Sequence, residues 1–355
     1  MAKPFFSILI DTYNHERFIE EAIQSVLAQD FCASDREILV VDDGSTDRTP
    51  EILRKFEPHI RVLRKKNGGQ ASAFNLGIPE CKGEVVAFLD GDDWWASSKL
   101  TQVAATMTGD PALGFVGHGI ITVFQDGTQR TESLRDGFCF QANQMPGALL
   151  FRRRCSFMGT SRMAIRKTLL QEIGKVPEEI EVQADEYLYT LAAVRMPACI
   201  LPETLTFYRL HADNGFIISN GDPQKLRRKQ KSLEALVRSL SQRLAEYGIE
   251  PKLRDALLAY TRACVDQLRL SLEGGWPWET FQTEKTFYQV NYPDASFSQR
   301  LLKSLMLSAT LLVPPVRYYR ARQAITQTQF YRRLRQNWLP LPTMQHIQSE
   351  ERKLS

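Results

Sequence analysis

The sequence has no long hydrophobic run, no internal repeat and no low-complexity stretch. No segment reaches the roughly 18 to 20 apolar residues that a membrane-spanning helix requires. The nearest candidate, residues 305–316, contains Pro314 and Pro315. The apolar residues 5–10 are too short a run for a secretory signal peptide. We therefore expect any membrane contact to be peripheral, and we expect residues 5–10 to form a buried strand.

The six cysteines are scattered through the chain and include no CxxC pair. Paired or regularly spaced cysteines would indicate a zinc site or a disulfide framework. The sequence therefore predicts neither of these, and a reducing cytoplasm is the expected location.

Acidic and basic residues are distributed unevenly. The 355 residues are 43% hydrophobic and 24% charged, a composition that excludes disorder and allows one or two folded domains. The net charge is −7 over residues 1–224 and +11 over residues 225–355. A basic C-terminal third is typical of contact with an anionic surface, although a solvated helical surface has the same composition. No RNA- or DNA-binding motif is present, so nucleic acid is not an expected partner.

Short apolar runs alternate with amphipathic segments over the first 90 residues. The apolar runs predict strands at residues 5–10, 38–41, 60–63 and 85–89. The amphipathic segments predict helices at residues 18–27, 49–56 and 71–78. This alternation predicts an α/β fold with a mostly parallel, doubly wound sheet. After about residue 215 the strand pattern ends, and leucines at helical spacing predict a C-terminal α-helical extension.

Polar residues follow three of the predicted strands, at residues 11–14, 42–45 and 90–93. Ligands bind beyond the carboxyl ends of parallel strands, so we expect the three segments to meet at one site. In the third segment Asp90, Asp92 and Asp93 crowd one turn, where their mutual repulsion favours a divalent cation. An acidic turn alone is weak evidence, because solvated loops share this composition.

Four motifs, in this order, resemble those of family 2 glycosyltransferases: residues 7–14 (SILIDTYN), residues 40–47 (VVDDGSTD), Asn67-Gly68-Gly69 with Asn75, and residues 89–93 (LDGDD). The resemblance covers roughly residues 5–215. It implies the GT-A fold, a Rossmann-like sheet, with residues 1–215 as the catalytic domain that binds nucleotide sugar and acceptor. Residues 216–300 would then form the helical extension, and residues 301–355 a basic amphipathic tail.

The resemblance also assigns donor contacts to residues at the strand ends. Thr12 and Tyr13 would cradle the nucleoside base, and Asp43 would hydrogen-bond the edge of the base. The full set expected to bind the donor is Thr12, Tyr13, Asp43, Asn67, Gln70, Asp90 and Asp92. Two positions depart from the family, which usually has proline at Asp11 and commonly arginine at Phe74. For Asp11, a role as a cap of the strand end is favoured over a donor contact.

A divalent cation, Mn²⁺ or Mg²⁺, is the cofactor that the resemblance implies. Asp93 is the preferred ligand, Asp92 would hold the ribose or the metal, and His211 would bind the metal or a phosphate. Arg209 would contact a phosphate or form an ion pair within the fold. The metal would stabilise the departing nucleoside diphosphate.

Inverting transfer requires a general base beside the acceptor hydroxyl. Residues 183–187 (QADEY) resemble the family's glutamate–aspartate base motif, with Asp185 as the base and Ala184 in place of the glutamate. Glu186 is the rival candidate, and the alternative is that both carboxylates serve only the N-terminal turn of a helix. Residues 158–161 precede a further strand and helix and would shape the acceptor side of the pocket.

The resemblance thus implies an inverting enzyme that moves a sugar from a nucleoside diphosphate to a hydroxyl of a saccharide or lipid-linked acceptor. Family habit favours a UDP-sugar as donor and synthesis of a surface polysaccharide or glycolipid as the setting. Two alternatives are a binding module that has lost turnover and a sugar nucleotidyltransferase. The Gly-rich, basic phosphate loop of a nucleotidyltransferase is missing here.

The C-terminal tail combines apolar residues with basic and aromatic ones. Apolar residues between positions 301 and 313 precede residues 317–322, which hold three arginines and two tyrosines. This pattern is typical of an amphipathic helix at a lipid interface, which would place the enzyme at the inner face of the membrane. The alternative is that these helices pack onto the catalytic domain or a second subunit.

Overall fold

The computed structural model describes residues 3–154, 157–211, 222–291 and 296–326. These residues form an α/β fold around a ten-stranded sheet, followed by a helical C-terminal region. The fold class is the one that the sequence predicts.

The strands and helices of the first 90 residues agree with the sequence patterns, each lying within two residues of its predicted ends. The strands are β1 (Phe6–Thr12), β2 (Arg36–Asp42), β3 (Arg61–Arg64), β4 (Val85–Asp90), β5 (Trp94–Trp95), β6 (Phe115–Val123), β7 (Gln129–Glu132), β8 (Phe138–Phe140), β9 (Ala164–Arg166) and β10 (Ala198–Arg209). The helices are α1 (Ile19–Leu27), α2 (Thr49–Arg54), α3 (Gln70–Glu80), α4 (Lys99–Gly109), α5 (Met145–Arg154), α6 (Lys167–Ile173), α7 (Ala184–Arg195), α8 (Pro223–Glu246), α9 (Pro251–Glu273), α10 (Pro277–Asn291), α11 (Phe297–Ser308) and α12 (Pro315–Thr326).

The sheet has the strand order β3-β2-β1-β4-β9-β6-β10-β5, with β7 beside β6 and β8 beside β10. The N-terminal strands are parallel, as predicted: β1 runs parallel to β2 and β4, and β2 to β3. The rest of the sheet is mixed, because β9 runs antiparallel to both β4 and β6, and β5, β7 and β8 also pair antiparallel. Short connections, such as the one from β6 to β7, reverse the chain and allow only antiparallel pairing.

Strands β1, β2 and β4 are buried on both faces over most of their length, which accounts for their continuous apolar sequence. Phe74 of α3 and Phe88 of β4 pack edge to face in this core, with ring centroids 5.2 Å apart. Gly77 of α3 lies so close to β1 that a Cβ atom there would come within 2.4 Å of a methyl group of Leu9. The close approach holds α3 against β1, with its N-terminus near the strand ends.

The chain forms two compact units: residues 1–219 with 238–257, and residues 220–237 with 258–355. Within the second unit, α10 packs against α11 and the turn Ala309–Leu312, and Glu284 of α10 pairs with Arg322 of α12. None of the described helices is long and apolar enough to cross a bilayer. Residues 327–355, the second half of the predicted tail, lie outside the described residues, as does Cys155, one of the six cysteines.

The prediction that the chain has no disulfide is wrong. Cys139 of β8 and Cys199 of β10 are direct partners in the antiparallel pair and form a disulfide. Sixty positions separate them, so the spacing of cysteines in the sequence could not reveal the pair. Among the described cysteines, Cys32, Cys81 and Cys264 are free.

Candidate active site

The three polar segments that follow strands meet at the carboxyl ends of β1, β2 and β4. In the register of the sheet, Thr12 pairs with Asp42 of β2, and Asp11 pairs with Asp90 of β4. The backbone amide of Gly91 then donates to the Asp11 carbonyl at 2.9 Å, which fixes the start of the acidic turn. The convergence predicted from the sequence follows from β1 lying between β2 and β4.

The Asp43 carboxylate is held by the loop that follows β3. It accepts hydrogen bonds from the amides of Gly68 (3.0 Å) and Gly69 (2.7 Å) and from the Asn67 side chain (3.2 Å), and it pairs with Lys65 at 2.6 Å. Gly69 has a φ of +83°, which favours glycine, and a Cβ atom there would meet a backbone carbonyl at 3.0 Å. Asp43 and Asn67, both predicted to bind the sugar donor, are therefore in contact. A nucleobase that donated a hydrogen bond to Asp43 would join the protein groups that already donate to it.

Asp11, Asp90 and Asp92 form a carboxylate cluster between the ends of β1 and β4. Burial and the charge of Asp92 raise the pKa of Asp11 to about 8. Burial and the charges of Asp11 and Asp92 raise the pKa of Asp90 well above its ordinary value. Within the described part of the chain, the buried Oδ1 atom of Asp11 accepts no hydrogen bond. Such a cluster is costly unless protons or a cation neutralise it.

Two histidines flank the Asp92 carboxylate. Nε2 of His211 lies 2.9 Å from Oδ2 of Asp92, and Nε2 of His15 lies 3.9 Å from the same oxygen. Burial opposes the ionisation of Asp92, but the hydrogen bond to His211 and the charge of His15 outweigh it and lower the pKa of this carboxyl. Burial in turn lowers the pKa of His15, whose Nδ1 lies 3.2 Å from Oγ1 of Thr12. Asp92 is thus the member of the cluster that ionises most easily.

Asp93 is enclosed by the protein, and only 1% of it is exposed. Its Oδ1 atom accepts a hydrogen bond from the Arg209 amide at 2.9 Å. Burial and the charge of Asp92 raise the pKa of Asp93 well above its ordinary value. The buried Lys99 interacts electrostatically with Asp93, although burial lowers the pKa of this lysine well below its ordinary value. Asp93 therefore ties the acidic turn to the end of β10.

Arg209 forms the internal ion pair that was one of its two predicted roles. Its guanidinium pairs with Glu21 of α1, and its Nε donates to the Asp92 carbonyl at 3.1 Å. The same group lies over the rings of Trp94 at 4.4 Å and Phe18 at 4.8 Å. These contacts hold β10 against the acidic turn, and so they position the His211 side chain just beyond the strand.

Gln70, the first residue of α3, joins the acidic cluster to the region of the predicted base. Its Nε2 donates to Oδ1 of Asp90 at 3.2 Å and to Oγ1 of Thr160 at 3.1 Å. Its Oε1 accepts from the backbone amide of Ala184 at 3.1 Å. Because both ends of the amide are used, the N-terminus of α7 is held at a fixed distance from Asp90.

Asp185 lies in the first turn of α7. Its Oδ2 accepts from the Thr160 amide at 3.0 Å, and its Oδ1 accepts from the Glu186 amide at 2.9 Å. Burial raises the pKa of Asp185, and the charge of Asp185 contributes to the raised pKa of Asp11. The side chain of the rival candidate, Glu186, accepts a hydrogen bond from Gln183 at 3.2 Å. Asp185 therefore shares the electrostatic environment of the acidic cluster.

The two positions that depart from the family differ in their surroundings. Phe74 is fully buried in the core, so it cannot supply the charged contacts of the arginine that is common at this position in the family. Asp11, by contrast, belongs to the carboxylate cluster. Of the residues expected at the nucleoside base, Thr12 is buried and Tyr13 is 43% exposed at the edge of the site.

Sequence reasoning missed the parts played by His15 and by the 3₁₀ turn Thr160–Arg162. Ser161 in this turn accepts from the Asp90 amide through its Oγ at 3.1 Å, while Thr160 contacts Asp185. The one signal was the position of residues 158–161 before a strand and a helix, which are present as β9 and α6. Nothing local in the sequence indicates that this turn contacts residues of β4 and α7.

The cluster fits a divalent cation. Among the described residues, no three histidine, cysteine, aspartate or glutamate side chains form a complete metal-binding group. Mg²⁺ and similar ions do not need one, since they use one or two carboxylates and complete their coordination with water and substrate phosphates. Asp92, with its lowered pKa, and the buried Oδ1 of Asp11 are oxygens of the required kind.

The sequence matches the family described as glycosyl transferase family 2 over residues 7–169. An uncharacterised glycosyltransferase of Nostoc sp. is 30% identical over 250 residues, which cover 68% of this chain and 76% of that protein. The chain belongs to glycosyltransferase family 2. It is therefore a transferase enzyme, as its motifs predict.

Solved structures of other glycosyltransferases share this fold. TarS 1–349 of Staphylococcus aureus, in complex with UDP, has a TM-score of 0.50 and 20% identity, and covers 86% of this chain and 90% of that one. A mannosyltransferase of Pyrobaculum calidifontis, in complex with GDP-Man and Mn²⁺, has a TM-score of 0.51 and 20% identity, over 91% of this chain and 85% of that one. At these identities the likeness establishes the GT-A fold of this glycosyltransferase.

TarS is also a relative in sequence. The poly(ribitol-phosphate) beta-N-acetylglucosaminyltransferase TarS of S. aureus is 36% identical over 104 residues, which are 28% of this chain and 18% of that protein. This match therefore spans less than a fifth of the TarS relative.

Proposed function

We propose that this glycosyltransferase moves a sugar from UDP to a hydroxyl group of a saccharide or lipid-linked acceptor, with inversion at the anomeric carbon. The observation that carries the proposal is that Gln70 joins Asp90 of the acidic cluster to the N-terminus of the helix that bears Asp185. A donor diphosphate with its cation would bind at the cluster, and the base would stand beside it. The UDP bound to the structurally similar TarS supports this choice of nucleoside.

We assign the metal to Asp92, with His211 beside it. The sequence favours Asp93, but Asp93 is buried against the Arg209 backbone, whereas the pKa of Asp92 is lowered and its carboxylate lies within the cluster. When bound, Mn²⁺ or Mg²⁺ would neutralise the charge that develops on the departing nucleoside diphosphate. The Mn²⁺ in the mannosyltransferase structure supports a divalent cation.

We assign the general base to Asp185. A raised pKa makes this carboxylate a stronger base than an exposed aspartate, and the amides of Thr160 and Glu186 fix its orientation. The carboxylate would accept the acceptor's hydroxyl proton as that oxygen bonds to the anomeric carbon and the bond to the diphosphate breaks. An α-linked donor would then give a β-linked product.

The acceptor is proposed by class alone. Synthesis of a surface polysaccharide or glycolipid is supported by the TarS relative, whose name states that it acts on poly(ribitol-phosphate). We also propose that the enzyme works at the inner face of the membrane, where a lipid-linked acceptor would be within reach.

The test is release of nucleoside diphosphate from a panel of sugar nucleotides, with and without Mn²⁺ and with candidate acceptors. Asp185→Asn should lower kcat by roughly 10²- to 10⁴-fold, the usual contribution of a general base, with little change in donor affinity. Glu186→Gln, at the adjacent position, is the matched control and should keep most of the activity. The reverse result would transfer the role of base to Glu186.

Two other outcomes would support the alternatives. Release of pyrophosphate from a nucleoside triphosphate and a sugar phosphate would indicate a nucleotidyltransferase. Donor binding by the wild type without any turnover across the panel would indicate a binding module.

A further inference from the structure

The second compact unit exposes a large apolar surface on α11. Side chains that recur every four residues share one face of a helix, and here they lie in solvent. The exposed apolar residues of α11 are Phe297, Leu301, Leu302, Leu305 and Met306, with exposed fractions between 51% and 83%. Leu307 of the same helix is 4% exposed, so α11 packs against its own unit through Leu307 and leaves its other apolar side chains in solvent. Leu312, in the turn after α11, is 86% exposed.

Two exposed tryptophans border this surface. Trp276 and Trp278 are 78% and 55% exposed and lie at the start of α10. Helix α10 packs against α11 and the turn that follows it, and a Cβ atom at Gly274 would lie 3.6 Å from Val316 at the start of α12. The tryptophans therefore lie near the connection between α11 and α12. We refer to the exposed residues of α11 together with Leu312, Trp276 and Trp278 as the apolar face.

The charge on α11 and α12 is of one sign. Residues 297–326 contain five basic residues and no acidic residue. Arg317 and Arg320 of α12 are exposed, whereas Arg322 pairs with Glu284. Of the two acidic residues beside the tryptophans, Glu279 pairs with Arg269 and Glu273 is exposed. A second copy of the chain docked on this face would bring like charges together, which is unfavourable. An anionic lipid surface is complementary to it in both polarity and charge.

We propose that the apolar face binds the surface of an anionic bilayer. The apolar side chains of α11 and Leu312 enter the interfacial region, the two tryptophans lie at the level of the headgroups, and Arg317 and Arg320 contact lipid phosphates. The proposed membrane-binding surface includes Trp276 and Trp278, which precede the basic tail predicted from the sequence, residues 301–355. The inference rests on the proposed function only in that a membrane location would bring the enzyme to a lipid-linked acceptor.

The experiment is flotation of the full-length protein with vesicles of phosphatidylcholine, with or without phosphatidylglycerol. The wild type should bind the anionic vesicles. The variant Leu302→Ser/Leu305→Ser/Leu312→Ser should lose at least tenfold in binding, and Arg317→Gln/Arg320→Gln about fivefold for each charge removed. Met145→Ser/Leu149→Ser, which replaces two exposed apolar residues of α5, is the matched control and should bind like the wild type.

Several outcomes would overturn the proposal. These are a wild type that does not bind anionic vesicles, a triple serine variant that binds equally well, or a wild-type dimer that the triple variant makes monomeric by light scattering. Thermal unfolding checks that each variant is folded. Release of UDP with a water-soluble acceptor is measured in parallel, so that loss of lipid binding with intact turnover separates this proposal from the proposed function.

Discussion

Asp92 and Asp93 are adjacent in the chain and have different surroundings. Asp92 lies between two imidazoles, and its pKa is lowered. Asp93 is buried against the backbone of β10, and its pKa is raised. The difference arises because successive side chains in the turn after β4 point in different directions, and only the fold determines what lies in each direction. A motif of consecutive aspartates therefore cannot identify which carboxylate meets a cation.

Asp11→Asn is expected to stabilise the protein at neutral and alkaline pH. The pKa of Asp11 is raised from 3.8 to about 8 in the folded state. The folded state therefore holds this proton more tightly, and stability falls as pH rises between those two values. Asparagine removes this loss, so the free energy of unfolding at pH 8 should rise by about 1–3 kcal/mol, the cost of a poorly compensated buried group.

Urea unfolding at pH 4, 6 and 8 measures this effect. The two proteins should have nearly equal stability below pH 4, where Asp11 is protonated in both the folded and unfolded states. Asp136→Asn, at an exposed aspartate, is the control and should show no such pH dependence. A variant that is less stable than the wild type at pH 8 would contradict the raised pKa.

At the scale of elements, α3 extends from the loop that holds Asp43 to the helix that carries the proposed base, Asp185. Its N-terminus follows the two glycines that bind Asp43, and its first side chain reaches α7. Farther along, the Asn75 side chain hydrogen-bonds the backbone of Val176 through both of its polar atoms, at 2.7 and 2.8 Å, which fastens the middle of the helix. The helix thus sets the distance between the acidic cluster, where we propose that the donor binds, and α7, which carries the proposed base.

Gln70→Ala should lower kcat by roughly 10²-fold. The substitution releases the N-terminus of α7, and even a small displacement of the proposed base from its position beside the acceptor slows the reaction. The KM for the donor should change less. Asn75→Ala on the same helix is the matched control: it removes a structural clamp, so it should lower the melting temperature and leave kcat near the wild-type value. Steady-state kinetics and thermal unfolding of both variants distinguish positioning from stability. Equal losses of kcat in the two variants would argue against a positioning role for Gln70.

At the scale of the whole molecule, the candidate site is assembled from segments that are far apart in the chain. Gln70 and Ala184, which share a hydrogen bond, are 114 positions apart, and Asp92 and His211 are 119 positions apart. A ligand that binds across these segments should stabilise the native state as a whole. Ligand-induced stabilisation is therefore the natural measurement at this scale.

UDP with Mn²⁺ should raise the melting temperature by an amount equivalent to about 2.7 kcal/mol when the ligand is at 100 times its Kd. The increment due to Mn²⁺ should disappear in Asp92→Asn. It should persist in Asp93→Asn, in which the asparagine Oδ1 can still accept the hydrogen bond from the Arg209 amide. The opposite pattern in the two variants would show that Asp93 is the metal ligand. A larger stabilisation by GDP than by UDP would show that the donor nucleoside is guanosine.

The sequence by itself determined the order of strands and helices in the first 90 residues, the α/β class and the family. These features are encoded in runs of apolar residues and in short ordered motifs, so they are visible within windows of a few residues. It also predicted that three polar segments meet, since parallel strands end at the same edge of a sheet. Only the tertiary structure determined the Cys139–Cys199 disulfide, the contacts of Gln70, the different surroundings of Asp92 and Asp93, and which side of α11 faces solvent. Each of these depends on which residues, many positions apart, are brought together by packing, and local patterns carry no record of those distances.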